Sequence, residues 1–373
     1  MNGSFSILCA PMGQRNETHP DSHGPMMTEP DKQHKRRVRY SGTHPRRHEE
    51  KYKELNPERY SEDVQKVIAR GQTPAGMHIP ICVKEILEIL DPRPGHRGLD
   101  ATLGYGGHTL EILKRIVPGG HLVAIDVDPV ELPRTEKRLR DLGYDDQVLQ
   151  INRMNFAGIA RITIQTGELF DFILADLGVS SMQLDTPSRG FSYKTHGPLD
   201  LRLNPQHGQP ASKLIRSLDE KSLEKLLIEN SDEPCAEKIA HAINKNAQNI
   251  ETTTDLSNII RKELAGIKPH LSDTEIKKSL QRTFQALRIA VNDEFGALKS
   301  FLKLLPDCLK PGGRVAILTF HSGEDRLVKK SFQSAFRSGI YKSIASEPGR
   351  PSAEERRANP RSSCAKLRWA VRA

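Results

Sequence analysis

The segment DATLGYGGHT at residues 100–109 constrains the fold of this chain more than any other stretch. A strand predicted over 98–103 ends in this segment, and a helical pattern follows it at once. Between them, Gly104, Gly106 and Gly107 let the backbone pass close to a bound ligand, because they put no side chain in the way. This order of elements predicts a parallel α/β sheet with a small-molecule pocket beyond the first strand.

An acid follows the glycines at a spacing that indicates an adenosine-containing cofactor. The run HLVAIDVD at 121–128 ends a predicted strand with Asp126, 22 residues after Gly104. An acid at this place commonly accepts hydrogen bonds from the two hydroxyls of a ribose. A tight turn without a ligand is the alternative for the glycines alone. NAD is a competing cofactor, but its glycine pattern begun at Gly104 requires glycine or alanine where Thr109 stands.

Two further acids favour S-adenosylmethionine as the cofactor. Asp100 ends the first strand, and carboxylates attract the positive sulfonium and amino groups of S-adenosylmethionine. The apolar strand predicted over 170–175 delivers Asp176 to its carboxyl end, where ligands bind in open α/β sheets. The segment after Asp176 is predicted to be an active-site loop, because it is rich in turn residues. They are Pro187, Gly190, Gly197 and Pro198.

Between this loop and the next strand pattern, the chain has helical periodicity. An all-helical stretch inside an α/β sheet predicts a second, smaller domain, and Ser272 with Glu275 forms a candidate capping box. The sheet is expected to resume at 314–319 after a Pro-Gly-Gly turn, and a last strand at 367–371 is expected to close an edge. The predicted helices span 214–228, 236–243, 256–264 and 274–291.

Seven strings then occur in order: HIPICVKEIL, DATLGYGGHT, AIDVDP, LADLGVSSMQLDTPSRGFSYKTHGPLDLR, RTFQALRIAVNDE, PGGRVAILTFHSGEDRLVKK and NPRSSCAKLR. With them the chain resembles the bacterial 16S ribosomal RNA cytosine-N4 methyltransferase family, RsmH, also called MraW, over about 78–368. The resemblance implies a class I methyltransferase Rossmann-like sheet with an inserted all-helical domain, and S-adenosylmethionine as cofactor. Position by position, it implies cofactor contacts at Gly106, Gly107, His108, Asp126, Phe156, Asp176 and Gln183.

The resemblance and the composition together divide the 373 residues into three parts. Residues 1–75 lie outside the resemblance and are predicted to form a basic, partly disordered N-terminal extension with a short helix within 57–71. Residues 76–185 and 292–373 are predicted to form the S-adenosylmethionine-binding methyltransferase domain. Residues 186–291 are predicted to form a helical insert that recognises the substrate.

Two basic segments together carry more positive charge than the net +9 of the whole chain, because the rest of the chain is acidic by difference. Residues 32–53 hold nine Lys or Arg against two acids, and residues 326–373 hold twelve against three. Basic segments beside a methyltransferase core suit an RNA substrate, with solvated tails as the alternative. For arginines in the core the alternative is a salt bridge, such as Arg202 with Asp200. The candidate RNA contacts are Lys35, Arg36, Arg37, Arg39, Arg202, Arg282, Arg288 and His321.

Asp176 is the candidate catalytic residue. Methylation of a pyrimidine ring carbon usually requires a cysteine nucleophile, whereas methylation of an exocyclic amine requires a positioned nitrogen and a proton acceptor. Cys235 is predicted to start a helix of the insert and is therefore interpreted as structural. Asp176 would accept a hydrogen bond from the target amine and take up its proton.

The remaining features exclude several classes of protein. Five scattered cysteines without CxxC spacing indicate neither a zinc site nor a disulfide framework. Glu324 and Asp325 beside His321 could be metal ligands, but an acidic pair at a helix start more often favours the helix dipole, and no metal is expected. No apolar run reaches the roughly 20 residues that cross a bilayer, and no targeting pattern is evident, so a cytoplasmic protein is expected.

The sequence thus predicts an enzyme that methylates the N4 amine of a cytosine in 16S ribosomal RNA, within the small ribosomal subunit. The resemblance carries the identity of the substrate, since the residues alone reach only a nucleotide-cofactor enzyme acting on an anionic partner. The alternatives are a methyltransferase of another RNA or of DNA, and a non-catalytic RNA-binding factor of ribosome assembly. Asp126, Asp176 and the glycine turn favour catalysis.

Overall fold

The computed structural model describes residues 80–267 and 270–373. The predicted N-terminal extension and its helix within 57–71 lie outside the described residues. So do four of the candidate RNA contacts, which stay predictions: Lys35, Arg36, Arg37 and Arg39.

A seven-stranded sheet runs through the described residues, in the order β3-β2-β1-β4-β5-β7-β6. Strands β1 to β5 pair in parallel, and β7 is antiparallel to both of its neighbours. This sheet with its helical insert confirms the predicted Rossmann-like fold. The strands are β1 (Arg97–Asp100), β2 (His121–Asp126), β3 (Leu149–Arg153), β4 (Phe170–Asp176), β5 (Leu309–Thr319), β6 (Tyr341–Ile344) and β7 (Lys366–Arg372).

The strand order reverses beside β1, which fixes where a ligand can bind. From β1 the chain proceeds to β2 and β3 on one side, and then returns to β4 on the other. At such a switch point the loops beyond the strands separate and leave a crevice at the carboxyl ends. The ends of β1, β2 and β4 therefore form the expected binding edge.

Helices cover both faces of the sheet and bury its apolar side chains. One face packs against α1 (Val83–Leu90), α2 (Gly107–Ile116) and α3 (Leu132–Asp141). The other packs against α4 (Ala160–Thr166), α11 (Glu294–Cys308) and α12 (Ser322–Arg337). Because both faces are covered, the central strands β2 and β4 are nearly continuous apolar runs, as in parallel sheets generally. A short helix, α5 (Ser181–Asp185), follows β4, and α13 (Ala353–Ala358) precedes β7.

Five helices between β4 and β5 share a hydrophobic core of their own, in which Leu223, Ile239, Ile260, Leu280 and Leu287 are buried. The predicted capping box of the last helix is present, because Ser272 and Glu275 each accept a hydrogen bond from the other's backbone. The helices are α6 (Ala211–Ser217), α7 (Glu220–Ser231), α8 (Ala236–Asn246), α9 (Thr253–Ala265) and α10 (Asp273–Asn292).

Three expectations about secondary structure differ from the structure. The single helix expected at 214–228 is two helices, because Asp219 accepts a hydrogen bond from the backbone N–H of Ser222 and starts α7 anew. The last strand, β7, does not close an edge but lies between β5 and β6. The edge strand β6 is only four residues long and carries little apolar pattern. Strand β5 also begins earlier than expected, and its register with β4 shifts near Gly312, whose φ is 79°.

None of the helices within the described ranges is long and apolar enough to cross a membrane.

Candidate active site

A cavity of about 810 Å³ opens at the carboxyl ends of β1, β2 and β4. Its volume lies in the range of small-molecule sites. Every cofactor contact implied by the resemblance borders it: Gly106, Gly107, His108, Asp126, Phe156, Asp176 and Gln183. Gly104, Arg288 and His321 border it as well, whereas Asp100, Arg202 and Arg282 do not.

Two different constraints require glycine at positions of this turn. Gly104 and Gly106 have φ of 49° and 71°, in the left-handed region that favours glycine. Gly107 has no such backbone, but a Cβ there would lie 2.3 Å from Cγ of Pro80. Gly107 is therefore required by its contact with Pro80, a reason that the local pattern does not contain.

Asp126 ties the glycine turn to the end of β2. Its Oδ2 accepts a hydrogen bond from the backbone N–H of Gly104 at 2.7 Å, and its Oδ1 accepts one from the backbone N–H of Asp128 at 2.9 Å. Burial raises the pKa of Asp126 to about 6, against the effect of these two donors. Each oxygen can still accept from a ligand, because a carboxylate oxygen has two acceptor sites.

Asp100 supports the turn from below and does not touch the cavity. The carboxylate is 1% exposed and accepts hydrogen bonds from Oγ1 of Thr109 at 2.6 Å and from the backbone of Thr102 at 3.0 Å. Burial raises its pKa. Thr109, which breaks the dinucleotide pattern, is thus the partner that Asp100 requires. The structure therefore places Asp100 behind the residues that border the cavity, and not at the cofactor edge as expected.

A buried network around Asp128 was not anticipated from the sequence. Asp128 is 1% exposed, and its Oδ2 accepts from Nε2 of Gln183 at 2.7 Å and from Nη1 of Arg189 at 2.9 Å. The amide of Gln183 also accepts from the backbone N–H of Ser180, at the start of α5. The network therefore holds the loop after β4 against the end of β2. Asp128, the second acid of the string AIDVDP, was the feature of the sequence that could have indicated this network.

Asp176 differs from Asp100, Asp126 and Asp128, because no residue in the described part of the chain donates a hydrogen bond to its carboxylate. Neither of its carboxylate oxygens accepts a hydrogen bond from the described residues, although its Oδ1 is buried. Its backbone N–H donates to Oγ1 of Thr102 at 2.6 Å, which fixes the main chain. Burial raises the pKa of Asp176 to about 6, His108 lowers it, and Asp100 and Glu324 raise it. The side chain is 29% exposed, so a ligand in the cavity can reach it.

The three core arginines are engaged by acids. Arg202 donates to both oxygens of Asp200 at 2.7 and 2.8 Å, which is the salt bridge named as its alternative. Arg288 donates in the same way to Glu294 at 2.7 and 2.8 Å. Arg282 lies 3.9 Å from Glu233, and its side chain is 38% exposed. Of the three, only Arg288 borders the cavity.

His321 caps a helix, and the acidic pair Glu324 and Asp325 lies in the first turn of that helix. Its Nδ1 accepts a hydrogen bond from the backbone N–H of Glu324 at the start of α12. Asp325 turns away and accepts from Lys366 and Arg368 of β7. Glu294, His321 and Glu324 bring potential ligand atoms within 4.8 Å of one another. Arg288 already neutralises Glu294, so an ion pair accounts for this acidic group.

No cysteine in the described ranges has the surroundings of an activated nucleophile. Cys235 precedes α8 and does not border the cavity, and burial raises its pKa. Cys364 does border the cavity, a position that no sequence pattern indicated, but desolvation raises its pKa too. A reactive cysteine requires a lowered pKa.

Comparison with known proteins identifies the family. The model of the MraW methylase family matches residues 75–373. The chain is 55% identical over 343 residues to ribosomal RNA small subunit methyltransferase H 1 of Lachnoclostridium phytofermentans, covering 91% of this chain and 93% of that protein. It is 58% identical over 341 residues to methyltransferase H 2 of Alkaliphilus metalliredigens, covering 91% and 97%. The resemblance is confirmed, and the chain belongs to the MraW methylase family.

Proposed function

We propose that this protein transfers a methyl group from S-adenosylmethionine to the exocyclic N4 amine of a cytosine in 16S ribosomal RNA. The family and the names of relatives that are 55% and 58% identical support methylation of small-subunit ribosomal RNA. The observation that carries the chemistry is the carboxylate of Asp176, which borders the cavity and accepts no hydrogen bond from the described residues.

The residues around the cavity fit S-adenosylmethionine. Asp126 at the end of β2 suits ribose hydroxyls, and Gly104 and Gly106 leave the backbone of the turn open to a close approach. Oε2 of Glu131, which also borders the cavity, is buried and has no hydrogen-bond donor among the described residues. Unsatisfied carboxylate oxygens favour a ligand that carries positive charge and N–H donors. When bound, S-adenosylmethionine supplies an electrophilic methyl group on its sulfonium.

Asp176 would orient the target amine and accept its proton. The lone pair of the N4 nitrogen is delocalised into the cytosine ring, and a hydrogen bond from N4 to a carboxylate raises the electron density on the nitrogen. After transfer, the nitrogen bears an extra proton, which the carboxylate takes up. Thr102 holds the backbone of Asp176, so the carboxylate is positioned before substrate arrives.

The same carboxylate distinguishes cytosine from uracil. Cytosine presents an amino donor at position 4, whereas uracil presents a carbonyl oxygen there. Two acceptors would then face each other in a partly buried site. A site built to accept from an amine rejects the analogue that lacks it, because its polar group is left unpaired.

We further propose that the substrate is 16S ribosomal RNA within the small ribosomal subunit, and that the protein acts in the cytoplasm. The excess of nine positive charges over 326–373 supports a polyanionic partner. Arg202 and Arg288 are engaged by acids, so phosphate contact by either would compete with an existing salt bridge. Arg282 and the basic residues of 32–53 are the better candidates for RNA contact.

The test is to map methylated cytosines in 16S ribosomal RNA from cells with and without the protein, and to repeat the transfer with purified protein and small subunits. Loss of one N4-methylated cytosine in the cells, restored by the purified protein, is the expected result. If the purified protein instead methylates a different RNA, that RNA would replace 16S ribosomal RNA as the proposed substrate. Cofactor binding without transfer to any RNA would favour the ribosome-assembly factor.

A further inference from the structure

Strands β4 and β5 bring Asp176 and Phe320 to the same mouth of the cavity. Asp176 is paired with Leu318 across the two strands, and the backbone N–H of Leu177 donates to the carbonyl of Leu318 at 3.0 Å. Gly178 and Phe320 each follow this pair by two residues. A Cβ at Gly178 would lie 3.6 Å from Cδ2 of Phe320, so the ring edge covers the backbone just beyond Asp176.

Phe320 is the aromatic ring beside Asp176. Among described residues, the Phe and Tyr side chains that border the cavity are Tyr105, Phe156 and Phe320. The ring of Tyr105 lies 3.7 Å from the guanidinium carbon of Arg138, on the side of the glycine turn. Phe156 follows β3 and packs edge-on against a core phenylalanine. Neither ring follows β4 or β5, the strands that end at Asp176 and just before Phe320.

The backbone of Phe320 is fixed before any substrate binds. Its N–H donates to Oε2 of Glu324 at 2.9 Å, and the next residue, His321, caps α12. The half-buried ring rests on the apolar cluster that contains Leu318 and Leu367. One part of the ring is therefore supported by the core, while Phe320 also borders the cavity.

An enzyme that acts on a base amine must hold that base out of its stack. Such enzymes read the edge of the base by hydrogen bonds and hold its faces between apolar or aromatic side chains. Asp176 can engage the edge of a cytosine but offers nothing to its face. We propose that Phe320 is the stacking platform for the target cytosine, an inference that rests on the proposed function.

Removal of the Phe320 ring should lower substrate affinity by a factor that can be stated in advance. Stacking of one base on an aromatic ring corresponds to about 5- to 150-fold in affinity. Phe320→Leu should lower kcat/KM for small ribosomal subunits by this factor, while cofactor affinity stays within about twofold. Phe320→Tyr should keep most of the parent kcat/KM, because it keeps the aromatic ring. Phe336→Leu is the matched control, since Phe336 lies on α12, is 46% exposed and does not border the cavity.

Binding of cytidine to the cofactor-loaded protein gives a readout that does not depend on turnover. Saturation-transfer NMR should show contact with the cytosine ring protons in the parent protein and in Phe320→Tyr, and a much weaker signal in Phe320→Leu. Thermal unfolding of each variant shows whether the fold is kept. If Phe320→Leu is folded and equals the parent protein in kcat/KM and in the cytidine signal, the proposal that Phe320 is the stacking platform is wrong.

The outcomes separate this inference from the proposed function. Absence of methyl transfer by the parent protein would overturn the proposed function, and the cytidine signal would still test the platform. If Phe320→Leu loses cofactor affinity and thermal stability along with activity, and Phe320→Tyr does not restore them selectively, the ring is a core residue and the inference fails.

Discussion

Nδ1 of His108 lies 3.6 Å from Oδ2 of Asp176, while Nε2 of the same ring lies 2.9 Å from the carbonyl oxygen of Ile81. A carbonyl can only accept, so Nε2 donates its proton to Ile81. The separation of Nδ1 from the carboxylate is beyond hydrogen-bond distance. His108 therefore donates no hydrogen bond to Asp176, and a substrate amine can supply one.

Replacing the proposed proton acceptor should separate catalysis from cofactor binding. Asp176→Asn should slow methyl transfer by about 10²–10⁴-fold, the range for a positioned general base, because an amide cannot take up the proton. Single-turnover assays measure the rate, and calorimetry should show a much smaller loss of cofactor affinity. Cys235→Ser should have almost no effect. An essential Cys235 with a dispensable Asp176 would indicate methylation of a ring carbon instead.

The same substitution should stabilise the cofactor-free protein above neutral pH. Burial raises the pKa of Asp176 from an ordinary 3.8 to about 6 in the folded state. The protonated form is thus favoured by folding, and this contribution is lost as the pH rises through about 6. At pH 8 Asp176→Asn should exceed the parent protein by about 1–3 kcal/mol in free energy of unfolding. Urea denaturation should show that the gain shrinks toward pH 4, whereas a gain independent of pH would contradict the assignment.

Asp126 should control cofactor affinity. Asp126→Ala removes the proposed acceptor for the ribose hydroxyls and also the partner of the Gly104 N–H. A charge-assisted hydrogen bond of about 1.5–3 kcal/mol corresponds to roughly 10- to 150-fold weaker binding, measured by calorimetry. Asp141→Ala is the control, because Asp141 is exposed on α3 and pairs with Lys137. Unchanged affinity in a folded Asp126→Ala protein would place the ribose elsewhere.

The buried pair of Asp128 and Arg189 should be costly to break. Arg189→Met leaves the carboxylate of Asp128 buried without its cation, and should destabilise the fold by about 3–5 kcal/mol in urea denaturation. Lys137→Ala breaks an exposed ion pair and should cost at most about 1 kcal/mol. Equal effects of the two substitutions would mean that water reaches Asp128.

The N-terminal basic segment should contribute to RNA affinity through its charges. Deleting residues 1–53 should weaken binding to the small subunit and flatten the log–log salt dependence by about 0.7–0.9 for each phosphate that the segment neutralises. Cofactor affinity should not change, since every described residue that borders the cavity follows the deletion. Binding of the full-length and shortened proteins is compared across a salt series. Identical slopes would show that the segment is a solvated tail.

Local patterns were sufficient wherever one strand and its turn determine the geometry. The placements of Asp126 and Asp176 follow from apolar runs that end in an acid, and the bounds of α10 follow from its periodicity and capping box. These features depend on neighbours within a few residues, which a sequence displays directly.

Long-range contacts explain what could not be predicted. Asp128 meets Gln183 and Arg189 at separations of 55 and 61 residues, and no local pattern encodes such partners. The position of β7 between β5 and β6 depends on antiparallel pairing rather than on its own residues. Phe320 was part of a recognised string, but its nearness to Asp176 requires the register of β4 on β5.

The register that places Leu318 opposite Asp176 joins residues 142 positions apart. Closing so long a loop costs conformational entropy before the pairing returns any stability, and contacts of high sequence separation form slowly. The helices between β4 and β5 shorten this loop when they fold. We therefore expect Phe320 to reach its place beside Asp176 late on the folding pathway, so that a chain with an unfolded insert has an incomplete active site.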